Sequence, residues 1–94
     1  MVKLIWSPRA ARDLEETTEY ISTDSEYYAR IFAQRVVEIA EKIPASPKAG
    51  RIVPEYENAD LREHIFKTYR IVYRYKKGAV EIVAISHGAR LLRL

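Results

Sequence analysis

The apolar positions of this chain follow two different periods, and the change from one to the other divides it near the middle. Val2 to Trp6 is a short apolar run stopped by Ser7-Pro8, which predicts a first strand. Ser7 is a good helix N-cap, and Pro8 suits the first helical position because its missing N–H would be unpaired there anyway. Ala11, Leu14, Thr18 and Ile21 then recur at spacings of three and four. They predict an amphipathic helix to about Ser22, with Asp13, Glu15, Glu16 and Glu19 mostly on its wet side. Thr23-Asp24-Ser25 breaks the pattern and offers a second cap. In the helix that follows, Tyr28, Phe32, Val36, Ile39 and Ile43 form the apolar stripe, and Ala29, Ala33 and Ala40 let a neighbour approach closely. Pro44 and Pro47 close this helix. The short link between the two helices predicts an antiparallel hairpin.

Residues 44–60 contain three prolines and Gly50 and read as a loop. Beyond them the period becomes two. Leu61 to Phe66 predicts one strand, and Tyr69 to Tyr75 the next, with Tyr69, Ile71, Tyr73 and Tyr75 facing one way and Arg70, Val72 and Arg74 the other. Lys76-Lys77-Gly78 supplies a turn, and Val80 to Ser86 is a final strand rich in Val and Ile. The order β-α-α-β-β-β predicts an α+β fold, a helical hairpin packed on one face of a mostly antiparallel four-stranded sheet. No later helix remains to cover the second face. Arg70 and Arg74 are therefore expected on an open surface.

With 94 residues, the chain reads as a single domain, 1–94. A domain this short is only marginally stable alone, so a partner would supply much of its effective stability. The absence of cysteine excludes a disulfide framework, a thiolate metal site and a cysteine nucleophile, and fits a reducing cytoplasm. The apolar stretch Leu4-Ile5-Trp6 is too short for a signal-peptide core, and no run approaches the ~18 apolar residues of a membrane helix. The net charge is +3, and its distribution says more. Residues 1–50 carry seven Lys/Arg against eight Asp/Glu, whereas residues 51–94 carry nine against five. The positive excess lies in the second half. It points to an anionic partner there, nucleic acid or acidic protein, with simple solubility as the alternative.

The candidate chemistry follows from the strands. Arg70 and Arg74 share one side of a strand with about 13 Å between their alpha carbons. Two guanidinium forks on a sheet face suit a phosphate or carboxylate, unless both are solvated surface residues. Arg62 and His64 share a face of the preceding strand, and His87 and Arg90 follow the last one. If these six residues met on one face, they would hold what phosphodiester cleavage needs: proton donors and acceptors in His64 or His87, and fixed positive charge. Surface or hydrogen-bonding histidines are the plainer alternative. Two histidines without helical His-x-x-x-His spacing make no case for a metal, and no Gly-rich phosphate loop or nucleophile elbow suggests a cofactor or a serine nucleophile.

Four segments, in order, resemble one family: SPRAARDLEE opening the first helix, SPKAGRIVPE in the middle loop, LREHIFKTYRIVYRY across two strands, and VEIVAISHGAR near the end. The pattern Leu61-Arg62-Glu63, Tyr69-Arg70-Ile71-Val72-Tyr73 and His87-Gly88-Ala89-Arg90 resembles the RelE/ParE superfamily, closest to ParE-like plasmid stabilisation toxins. The resemblance implies the toxin of a type II toxin–antitoxin system. Such a toxin is a cytoplasmic growth inhibitor neutralised by a small antitoxin in a hetero-oligomer. ParE-like members inhibit DNA gyrase, while RelE-like members are endoribonucleases that cut messenger RNA on the ribosome. If the chain is RelE-like, the resemblance assigns catalysis to Arg70 and Arg90, with His87 or His64 as acid/base. The RelE-type C-terminal tyrosine has no counterpart after Tyr75, and His87 is its candidate replacement. The SHGAR and SPRAARDLEE segments are more similar to ParE. Arg62, Arg70, Arg74 and Arg90 are the expected target- or phosphate-binding residues. Trp6, Tyr28, Phe32, Arg70 and Arg74 are the expected antitoxin contacts. A non-toxic RNA-binding module is a further reading, though the initial strand and paired helices differ from the α-β-β-β-α order of double-stranded RNA-binding domains.

Overall fold

The structure, a computed structural model, describes all 94 residues. Strand β1 (Lys3–Trp6) leads into α1 (Pro8–Ser22) and α2 (Glu26–Lys42), and a 3-10 turn (Ile43–Ala45) ends the helical hairpin. Four strands follow: β2 (Arg51–Ile52), β3 (Leu61–Phe66), β4 (Tyr69–Lys76) and β5 (Ala79–His87). Both expected caps form. The Ser7 hydroxyl accepts from the Ala10 N–H at 3.0 Å and that of Ser25 from the Tyr28 N–H at 3.2 Å, each satisfying an amide the helix itself leaves free.

The sheet has five strands, not four, in the order β1-β5-β4-β3-β2. The extra strand is the two-residue β2, which pairs antiparallel to β3 from within the expected loop. β1 runs parallel to β5, and the other pairings are antiparallel. At the β4–β5 turn Lys77 and Gly78 have φ of 53° and 74°, the paired left-handed geometry of a tight hairpin.

The helical hairpin covers one sheet face. Ala10, Phe32, Val36, Ala40 and Ile43 pack there against Ile71, Tyr73, Val80, Ile82 and Ile85. On α1 the expected Leu14 and Ile21 pack against this core, but the fully buried residue is Ala10 while Ala11 is exposed, so the stripe begins one position earlier than expected. Tyr28 leaves the α2 stripe and is 65% exposed, and Ala29, Phe32, Val36 and Ala40 carry the packing. A register shift opposite Val72/Tyr73 leaves Val83 as an extra residue in β5. That bulge reverses the alternation: Val80 and Ile82 face the helices, Ala84 faces away, and Ile85 faces the helices again.

The second face is not open. Val53 from the middle loop and Leu92 from the C-terminal segment lie over Leu61, Val72 and Ala84 in a second, smaller core. Two irregular segments of the chain thus take the place of the missing helix. No helix is long and apolar enough to cross a membrane.

Candidate functional site

Pairing register decides which of the expected residues can meet. Arg62 lies opposite Tyr73 and His64 opposite Ile71, both on the helix-covered face. Arg70, Val72 and Arg74 point to the other face. The six-residue assembly therefore does not form, and Arg62 and His64 are separated from Arg70 and Arg74 by the sheet itself. Arg62 is spent on structure, donating to the carbonyls of Ala59, Lys48 and Gly50 at 2.9–3.1 Å. His64 borders a small cleft of about 320 Å³ with Lys42, Ile43 and Tyr73, separate from the cleft that His87 lines.

Arg70 is not on an exposed cationic surface, because it is only 4% exposed. Its Nη atoms donate to both carboxylate oxygens of Glu55 at 2.6 and 2.7 Å, and its Nε donates to Glu63 Oε1 at 2.7 Å. A further Nη contact reaches the Arg90 carbonyl at 3.4 Å. Glu63, 1% exposed, also accepts from Arg51 Nε. Two arginines and two glutamates thus form a neutral cluster under the middle loop and the C-terminal segment. The hydrogen bonds from Arg70, with that from the Leu92 N–H (2.9 Å), lower the Glu55 pKa from 4.5 to about 2. The Arg70 pKa is raised above its ordinary value, chiefly by the same Glu55 bonds.

Sequence reasoning missed both glutamates. Glu63 alternates in register with Leu61 and Ile65, which marks it as facing the second layer, where a lone charge needs a partner. That was the available signal. Glu55 sits in an aperiodic loop and gave none.

The other expected contacts divide. Phe32 is 6% exposed and belongs to the core, stacking edge-on against Tyr69 at 5.0 Å, so it is not a surface contact. Trp6 is half-buried against the same core. Tyr28 stays free at the surface beside Tyr27, with ring centroids 5.5 Å apart. Arg74 is half-buried, and its guanidinium has no bond within the chain.

His87 and Arg90 do come together, at a cleft of about 640 Å³ between α1 and the C-terminal segment. Its walls include Arg9, Glu16, Tyr20, Tyr69, His87, Arg90 and Arg93. Tyr69 meets the His87 ring edge-on at 5.3 Å. The Ala89 N–H donates to His87 Nδ1 at 3.2 Å, which leaves Nε2 as the free nitrogen. Arg9 spans the cleft end, pairing with Asp13 at 3.5 Å and donating to the Arg93 carbonyl. Asp13 in turn accepts from the Ile85 N–H at 3.0 Å. No group of three or more His, Cys, Asp or Glu side chains is arranged to hold a metal ion.

This architecture and sequence have relatives. The model of the family "ParE toxin of type II toxin-antitoxin system, parDE" matches residues 4–92. Toxin RelE2 of Caulobacter vibrioides is 35% identical over 92 residues, covering 97% of this chain and all of that protein. Among solved structures, a chain of the chromosomal ParDE TA system from P. aeruginosa superposes with a TM-score of 0.77 at 22% identity. That match covers 93% of this chain and 96% of the other, and speaks to the fold. Sequence over nearly its whole length places this chain in the ParE toxin family of type II toxin–antitoxin systems.

Proposed function

We propose that this toxin arrests growth by inhibiting DNA gyrase, without cutting RNA, and that a cognate antitoxin neutralises it in a hetero-oligomeric complex. One observation carries the choice of target: the guanidinium of Arg70 is fully engaged. This is the arginine on which RelE-type cleavage would rely. Here it is 4% exposed and held by two carboxylates, one of them bidentate. To reach a scissile phosphate it would have to abandon both, leaving Glu63 buried beside Arg51 alone. Breaking such a buried pair costs about 3–5 kcal/mol, which would be subtracted from any binding energy available for catalysis. His64 lies on the opposite face and cannot assist.

The ribonuclease reading retains one supporting feature, the shared cleft of His87 and Arg90. Parallel assays with purified toxin separate the two. Loss of gyrase supercoiling with ribosome-bound messages intact supports the proposal. Defined message cuts that Arg90→Ala or His87→Ala abolishes, with supercoiling unimpaired, overturn it in favour of the nuclease. Expression that leaves growth unaffected would favour the non-toxic RNA-binding module.

A further inference from the structure

The cleft that His64 borders takes its walls from α2, the 3-10 turn, the middle loop, β3 and β4. Its floor is apolar and fixed. Ile43 and the Tyr73 ring are buried, and Ile39 is half-buried one turn back on the helix. The Tyr73 hydroxyl accepts from the Gly50 N–H at 3.1 Å and donates to the Pro47 carbonyl at 2.7 Å, so the loop wall is tied to the sheet. The rim is polar and rich in donors: the Lys42 ammonium, the Ser46 hydroxyl and the His64 ring, all on exposed residues. No ion pair or side-chain hydrogen bond of the chain engages them, and Glu38, one turn before Lys42, does not pair with it. No Asp or Glu lines the cleft.

An apolar floor under a donor-rich, cationic rim suits a ligand with an alkyl body and an anionic head that only accepts. Phosphate would leave the floor bare, and an amine would meet like charge at Lys42. At about 320 Å³ the cleft is at the small end of ligand sites, with room for one short chain and its head group. We propose that it binds a short aliphatic carboxylate, with the alkyl chain on Ile39 and Ile43 and the oxygens on Lys42 Nζ and the His64 ring. A free short-chain acid and an aliphatic residue at the carboxyl terminus of a peptide present this same chemistry. The carbonyls that end α2 offset part of the Lys42 charge, so binding is weak. Neither the site nor its test involves gyrase.

The test is a titration of hexanoate and of N-acetylglycyl-leucine into the folded protein. It is followed through the amide signals of Ile43, Gly50 and His64 in proton–nitrogen correlation spectra. Hexanoate should saturate with a dissociation constant of roughly 1–10 mM, as so few atoms allow, and tighter binding of one probe identifies free acid or peptide as the source. From butyrate to hexanoate, each added CH₂ should tighten binding about two- to fourfold. Lys42→Gln should weaken it about three- to tenfold, the range for a charge-assisted contact open to water. Lys77→Gln removes the same charge at the β4–β5 turn and should leave binding unchanged. Unfolding midpoints establish that each variant is folded. The proposal is overturned by no saturable shift with either probe, by affinity indifferent to chain length, or by equal losses in the two lysine variants. Hexylamine or hexanol binding as tightly as hexanoate, or phosphate displacing it at equal concentration, overturns it as well.

Discussion

Replacing Arg70 by alanine removes the only cation that bridges Glu55 and Glu63. Glu63 is left with its side chain shut off from water and Arg51, itself 59% exposed, as its remaining partner. Glu55 keeps only the Leu92 amide. Removing one partner of a buried ion pair costs about 3–5 kcal/mol, because the surviving charge is neither solvated nor paired. A chain of 94 residues has a total stability of about 5–14 kcal/mol, so this single change takes about a fifth of it at the least. Urea denaturation followed by far-ultraviolet circular dichroism measures the loss. The cause is isolated by neutralising the abandoned acids: Arg70→Met with Glu55→Gln and Glu63→Gln should recover at least half of it, since apolar or neutral groups of similar volume replace buried ions at little net cost. Arg70→Lys should fall between wild type and alanine, because it keeps the charge but not the bidentate fork. Arg70→Ala within about 1 kcal/mol of wild type, or no recovery in the triple variant, would refute the reasoning. Any loss of toxicity in Arg70→Ala must be read against this measurement before the residue is given a chemical role.

Three further perturbations test other joints of the fold. A methyl group at Gly50 would meet the Tyr73 hydroxyl and sit 2.8 Å from the Glu63 carbonyl, so Gly50→Ala should cost about 1–3 kcal/mol in urea unfolding. Glu55 binds its proton more weakly when folded (about 2) than when unfolded (about 4.5), so its contribution is complete above pH 4.5 and disappears as the pH falls toward 2. The stability gap between wild type and Glu55→Gln should therefore be wide at pH 7 and narrow at pH 3, and a gap independent of pH would contradict the assignment. Lys77 holds a left-handed φ of 53°, which costs a side-chain-bearing residue roughly 1 kcal/mol, so Lys77→Gly should raise the unfolding midpoint.

What the sequence discloses about this fold is what repeats. Three- and four-residue spacing with Ser7 and Ser25 as caps marks both helices, and alternation in β4 with short runs bounded by turn residues in β3 and β5 marks these strands to within one residue. Aperiodic stretches disclose nothing of where they pack. β2 is two residues long, too short for any period. Val53, Glu55 and Leu92 sit in irregular segments, yet together they close the second sheet face and overturn the expectation of a bare cationic surface. That expectation treated the sheet as needing a helix for cover, whereas a few apolar anchors and one ion pair suffice in so small a domain. The bulge at Val83 is likewise invisible, because Ile82-Val83-Ala84-Ile85 is apolar at four successive positions and marks no face. Of the site, the meeting of His87 and Arg90 was legible from proximity at a strand end. The separation of Arg62 and His64 from Arg70 depended on register, which the turn at Lys67-Thr68 sets. The family resemblance survives the loss of the open-face argument because it rests on matched sequence along the chain.

The most direct test of a gyrase-directed toxin is a titration of purified protein into a gyrase supercoiling reaction on relaxed plasmid. Supercoiled product should fall with rising toxin and return when the cognate antitoxin is added in equimolar amount. Full supercoiling at a toxin concentration that arrests growth or cleaves ribosome-bound message would contradict the account.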